Sequence, residues 1–124
     1  MHEHTIFTNN FDVAARYPDI SCYMSCSVLD VFVAVRNAIH KGAKIITHPL
    51  SGSIKPNVSP YKSVAISTID FSTASDSPLD YKSLQIIEDT IATLKRLPDN
   101  RHQYDESVLQ DFRIIDLDHI SCLF

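Results

Sequence analysis

Fifteen residues from His48 to Lys62, "HPLSGSIKPNVSPYK", hold a histidine, two lysines, three serines, an asparagine and a tyrosine. Such a set suits an anion or a small polar molecule. Lys55 and Lys62 supply positive charge, and Ser51, Ser53, Ser59 and Asn57 supply hydrogen bonds. Gly52 lets a backbone approach closely, because it carries no Cβ. The same residue types also populate turns for conformational reasons alone. Length shifts the balance toward function, since structureless loops above ~12–15 residues are often functional. No glycine-lysine phosphate loop and no G-x-G-x-x-G occurs, so no nucleotide fingerprint, and no other motif, points to a cofactor.

His48 and Cys26 are the candidates for catalysis. A histidine near its ordinary pKa of ~6.5 can give or take a proton, although it can equally fix a loop through its ring. Cys26 stands beside a good helix start, where a thiol pKa falls, and would pair with His48 as nucleophile and base. No third group that would orient the pair is evident. Near the C-terminal end, "DLDHISC" puts Asp118 and Cys122 four residues apart with His119 between them, without the paired spacing of a metal site. It reads as an ordinary helix end, and "HEH" (His2 and His4) reads as a solvated terminus. No metal is expected.

These side chains need elements to place them. "TIFTN" (Thr5 to Asn9) is rich in β-branched and aromatic residues and reads as a strand closed by Asn9-Asn10. "FDVAARYP" offers about two helical turns before Pro18 stops them. "ISCYMSC" reads as a second strand. The clearest helix runs from Val28 to Lys41: Ser27 caps it, and Val28, Val31, Val35 and Ile39 form its apolar stripe. Lys41 and His40 suit its C-terminal dipole, and Gly42 can end it in a left-handed conformation. "AKIITH" follows as a third strand, completing a strand–helix–strand unit.

A fourth strand, "SVAISTI" (Ser63 to Ile69), comes about fifteen residues later. Pro49, Pro56 and Pro60 oppose a helix between the two, so the return is expected to be antiparallel. "DFSTASDS" reads as a polar linker. A helix capped by Ser77, with Pro78 at its first position, then carries Leu84, Ile87, Ile91 and Leu94 and stops at Pro98. Residues from about Asp105 to Cys122 form a last helix, with Val108, Leu109, Phe112, Ile115 and Ile120 as its stripe. The expected fold is a single α/β domain over residues 1–124: a small open sheet of about four strands, mixed parallel and antiparallel, with helices packed on it. Residues 70–77 would be the linker within it and 78–124 its helical part.

Ligands of open α/β sheets bind beyond the carboxyl ends of the strands. This rule gathers Asn9, Asn10, Cys26, Ser27 and His48 on one edge, and an antiparallel fourth strand returns Tyr61 and Lys62 to it. The expected ligand-binding set is Asn9, Asn10, Ser27, His48, Ser51, Ser53, Lys55, Tyr61 and Lys62.

Composition narrows the partners. At 124 residues and 44% hydrophobic the chain can bury a real core, and its formal charge of -4 opposes a nucleic-acid footprint. No apolar run approaches the ~20 residues that span a bilayer, and the first ten residues lack signal-peptide character. A cytoplasmic protein without nucleic-acid or membrane partners is expected. Three cysteines fit a disulfide framework poorly. Cys22 and Cys26 on one strand would stand roughly 13 Å apart at ~3.3 Å per residue, beyond disulfide reach. The apolar tail "ISCLF" is expected to dock on the chain or on a second subunit.

Thr8-Asn9-Asn10, His48-Pro49-Leu50, Ser53 and Ser59-Pro60-Tyr61-Lys62-Ser63 follow one another in an order that resembles the GrdX family. Its small proteins are encoded beside glycine, sarcosine and betaine reductase genes in amino-acid-fermenting anaerobic bacteria. The matching pieces bracket roughly the first half of the chain, with none from Asp70 onward. The resemblance implies a bacterial protein associated with reductive amino-acid metabolism, and it brings no active site with it. Three functions stay open. One is an accessory protein that binds a small polar or anionic ligand. Another is a small enzyme using His48, with Cys26, and the third is a structural partner of reductase components or of a second copy.

Overall fold

Seven elements follow one another in the computed structural model, which describes residues 3–51, 55–67, 79–99 and 103–124. They are β1 (His4–Thr8), α1 (Phe11–Arg16), β2 (Ser21–Tyr23), α2 (Val28–His40), β3 (Ser63–Ser67), α3 (Tyr81–Arg96) and α4 (Glu106–Ser121). The sheet order is β2-β1-β3, with β1 parallel to β2 and antiparallel to β3. A mixed open sheet under helices is therefore the architecture, and the parallel pair is joined through α1.

The expected count of about four strands is corrected to three among the described residues. "AKIITH" makes one antiparallel bridge, Ile45 to Ile66, beside β3. Side chains interrupt its ladder. Ala65 N–H donates to Thr47 Oγ1 (2.9 Å) rather than to a backbone carbonyl. Both Ile46 and Thr47 N–H donate to Ala65 O, while Ile45 N–H turns away to Ser83 Oγ. The antiparallel return itself is present. The second strand also shortens, to Ser21–Tyr23.

Alternation along the strands divides the core between two faces. Phe7, Val64 and Ile66 meet α2 and α3 through Val31, Phe32, Val35, Ile39, Ile87 and Ile91. Ile6 and Ala65 point the other way and pack with Val13 of α1 and with Leu117 and Ile120 of α4. The sheet thus lies between two helical layers.

Capping explains the helix ends. Ser27 Oγ accepts from Asp30 N–H (3.1 Å), and Gly42 takes a φ of 109° just past α2. The start of α3 is corrected: Asp80, not Ser77, is its N-cap, accepting from Ser83 N–H (3.2 Å). An ionised carboxylate at that position also favours the helix dipole. Ser77, Pro78 and the linker 70–77 lie outside the described residues. Leu97 and Pro98 follow α3, as the proline stop requires. No helix among the described residues is long and apolar enough to cross a membrane.

Candidate functional site

The carboxyl end of β1 is closed by buried asparagines. Asn9 Nδ2 donates to Cys26 O (2.9 Å) and Pro60 O (2.8 Å), and its Oδ1 accepts from Lys62 N–H (2.8 Å). One side chain thereby ties the end of β1, the approach to α2 and the long loop together. Asn10 is fully buried. Its Oδ1 caps α1 through Asp12 N–H, and its Nδ2 donates to Arg113 O and Asp116 Oδ2.

Asp116 brings α4 to the same edge. Its Oδ2 accepts from Ser63 Oγ (2.7 Å) as well as from Asn10. Because Ser63 gives its only proton to that carboxylate, the 2.7 Å contact with Thr8 Oγ1 has Thr8 as donor. Arg113, one turn back, is 5% exposed. Its guanidinium donates to Tyr61 Oη (3.0 Å) and Glu106 Oε1 (2.5 Å), lies 3.5 Å from Asp12, and stacks 4.6 Å from the Phe11 ring centroid. Two further contacts fasten the loop: Asn57 Nδ2 donates to Pro98 O (2.7 Å) and Tyr104 Oη to Val58 O (3.0 Å).

Between the fastened loop and α4 lies a cavity of about 290 Å³, close to the lower end of small-molecule sites at roughly 300–1,000 Å³. Lys55, Tyr61, Lys62 and Ser51 come to it from the loop, and Asp116, Asp118 and His119 from α4. Phe112, Ile115, Pro56 and Cys122 supply apolar wall. Ser51 joins the two sides. Its carbonyl accepts from Lys62 Nζ (3.0 Å), and its Oγ donates to His48 O (2.7 Å). With the hydroxyl proton so committed, the 2.9 Å contact to His119 is an Nε2–H donating to Ser51 Oγ.

Lys62 is 8% exposed, and burial pulls its amine below the ordinary lysine pKa, although Asp116 opposes the shift. A buried amine can pair with an anion in its charged form and act as a nucleophile in its neutral form.

Of the expected ligand set, Ser51, Lys55, Tyr61 and Lys62 line this cavity. Asn9 and Asn10 are buried in the supporting bonds, and Ser27 is the exposed cap of α2. His48 is exposed and outside the lining, its Nδ1 accepting from Leu50 N–H (3.1 Å). Ser53 lies outside the described residues. Burial, and then the Asp30 carboxylate, push the Cys26 thiol up, opposite to the expected lowering at a helix start. All three cysteines are free. Among the described residues no group of three or more His, Cys, Asp or Glu is placed to hold a metal.

Sequence reasoning missed Asp116, and it set "DLDHISC" aside, although Asp118, His119 and Cys122 all face the cavity. The available signal was a cluster of titratable residues on an otherwise apolar helix. Its relation to a loop more than fifty residues earlier had no trace in spacing.

The family model of the GrdX-like proteins matches residues 5–123. The chain belongs to the GrdX-like family. The membership extends through α3 and α4, well past the first-half elements that carry the resemblance in sequence. No curated protein and no solved structure matches the chain. In this GrdX-like chain the "TNN" and "SPYKS" elements divide by role. Asn9 and Asn10 hold the edge together, and Tyr61 and Lys62 reach the cavity.

Proposed function

We propose that this GrdX-like protein is an accessory protein of glycine reductase-type amino-acid metabolism that binds a small polar or anionic molecule in the cavity between the long loop and α4. One observation carries the reading: Lys62, a nearly buried lysine, lines a cavity that also offers Lys55, Tyr61, Ser51 and His119 as polar contacts, with the carboxylates of Asp116 and Asp118 on the α4 side. Burying a charged amine is costly, and a bound anion offsets that cost better than an empty site does. Apolar wall from Phe112 and Ile115 limits the polar contacts to a few directions, which is how small-molecule sites gain orientation. Family membership supports the metabolic setting, with the cytoplasm as its place of action.

The test is backbone and side-chain NMR of the full chain titrated with acetate, glycine and inorganic phosphate in parallel. At least one probe is expected to shift the resonances of Ser51, Lys55, Tyr61 and His119, with the shifts lost in Lys62→Met. His48→Ala is expected to leave them, because its ring is tied to Leu50 outside the lining. Saturable shifts centred on β2 or α2, or none at all, would rule the cavity out as the binding site. Association with reductase components is tested separately by pull-down with the full chain and with a chain ending at Ser121.

A further inference from the structure

Lys62, Ser51 and His119 form a connected group that ligand binding alone does not use up. Lys62 Nζ donates to Ser51 O at 3.0 Å, and His119 Nε2 lies 2.9 Å from Ser51 Oγ, so one residue holds an amine and an imidazole at the same cavity wall. A carbonyl oxygen accepts a hydrogen bond from an amine N–H without engaging the nitrogen lone pair. In its neutral form the amine stays oriented by Ser51 with its lone pair available. Burial favours that neutral form, and Asp116 counteracts it only in part. Lys55 supplies a positive charge on the lining, and Phe112 and Ile115 supply an apolar surface.

We propose that Lys62 is an imine-forming lysine, whose Nζ condenses with the carbonyl carbon of a small 2-oxo acid seated in the cavity. The assignment rests on the cavity being a ligand site and adds a covalent step to it. The Nζ lone pair attacks the carbonyl carbon, a C–N bond forms, and the carbonyl oxygen becomes a hydroxyl. That hydroxyl leaves as water, and the two amine protons depart with the oxygen. The product is a C=N bond, with no oxidant or reductant consumed. The ligand carboxylate faces Lys55, its alkyl group faces Phe112 and Ile115, and His119 is the nearby group able to exchange the protons.

The test incubates the full chain with pyruvate and cyanoborohydride at neutral pH and maps reduced adducts by peptide mass spectrometry. Lys62 is expected to be labelled about tenfold or more faster than the exposed Lys44 and Lys82, because of the three only Lys62 lines the cavity that would hold the keto acid beside its amine. Mapping on the wild-type chain makes the result independent of whether a variant folds. Lys62→Arg is expected to remove that adduct alone. Lactate, which keeps the carboxylate and methyl groups but carries a hydroxyl in place of the ketone, is titrated in parallel by NMR. Lactate shifts at the cavity without a Lys62 adduct would overturn the imine and leave the ligand site standing. Neither shifts nor adduct would overturn both. Labelling spread evenly over the exposed lysines counts against the imine as well.

Discussion

Asn9 shows how one side chain can set the geometry of a whole edge. Its amide uses both polarities, donating to Cys26 O and Pro60 O and accepting from Lys62 N–H. Removing it strands three backbone groups, each at a cost of about 1–3 kcal/mol when buried. Asn9→Ala is therefore expected to lower unfolding free energy by several such increments, measured by urea denaturation. Asn9→Asp is expected to be worse at neutral pH, because a carboxylate would face two carbonyl oxygens. That carboxyl would have a raised pKa in the folded state, so the folded chain would bind the extra proton. Stability of the aspartate variant should then recover as pH falls, whereas the alanine variant should show no such recovery. A pH-independent gap between the two variants would contradict this account.

At the scale of elements, α4 is the informative one, because it has two apolar faces and buries one of them. Arg113, Leu117 and Ile120 repeat at helical spacing toward α1 and the sheet. Phe112, Ile115, His119 and Cys122 repeat alongside, toward the cavity. Ile120 is 1% exposed and Ile115 is 40% exposed. Ile120→Ala should therefore cost about 2–5 kcal/mol, the range for a filled core site. Ile115→Ala should cost under about 1 kcal/mol, as a surface change does, and should weaken binding of any probe in the cavity. Equal costs in urea denaturation would mean that α4 is rotated from the arrangement described. Arg113 occupies a buried position on the face that Leu117 and Ile120 share. Its charge is accepted there because Tyr61, Glu106, Asp12 and the Phe11 ring surround the guanidinium.

Across the whole molecule, Lys62 lies where the end of β1, the long loop and α4 meet, and its titration reports on how well that junction excludes water. Its amine pKa in the folded chain lies below 10.5, the ordinary value. In the window between those two values the unfolded chain binds more protons than the folded one, so stability rises with pH. Below the lowered pKa both states are protonated, and the cost of burying the charge is constant. Lys62→Met removes the titration. The stability of wild type minus that of Lys62→Met should therefore move in favour of wild type as pH climbs toward 10.5. A difference that stays flat across that range would mean that the amine is hydrated in the folded protein.

Local signals determined much of this protein from sequence alone. The Ser27 cap, the valine stripe and Gly42 define α2 because capping, amphipathic spacing and left-handed backbone are short-range properties. The antiparallel return to β3 was legible from loop prolines. The family was legible from ordered short elements, and the lysines and Tyr61 of the loop stood out as candidate ligand contacts. Tertiary structure decided the rest. Thr47 and Ser83 side chains took over bonds of the expected third strand, an outcome that depends on which partner lies across the gap. The asparagines expected to face a ligand became buried ties, because their partners are Cys26, Pro60 and Asp116, residues distant in the chain. The second wall of the cavity came from α4 for the same reason. Hydrogen bonds and burial depend on proximity in space, and only the fold brings residue 51 to residue 119.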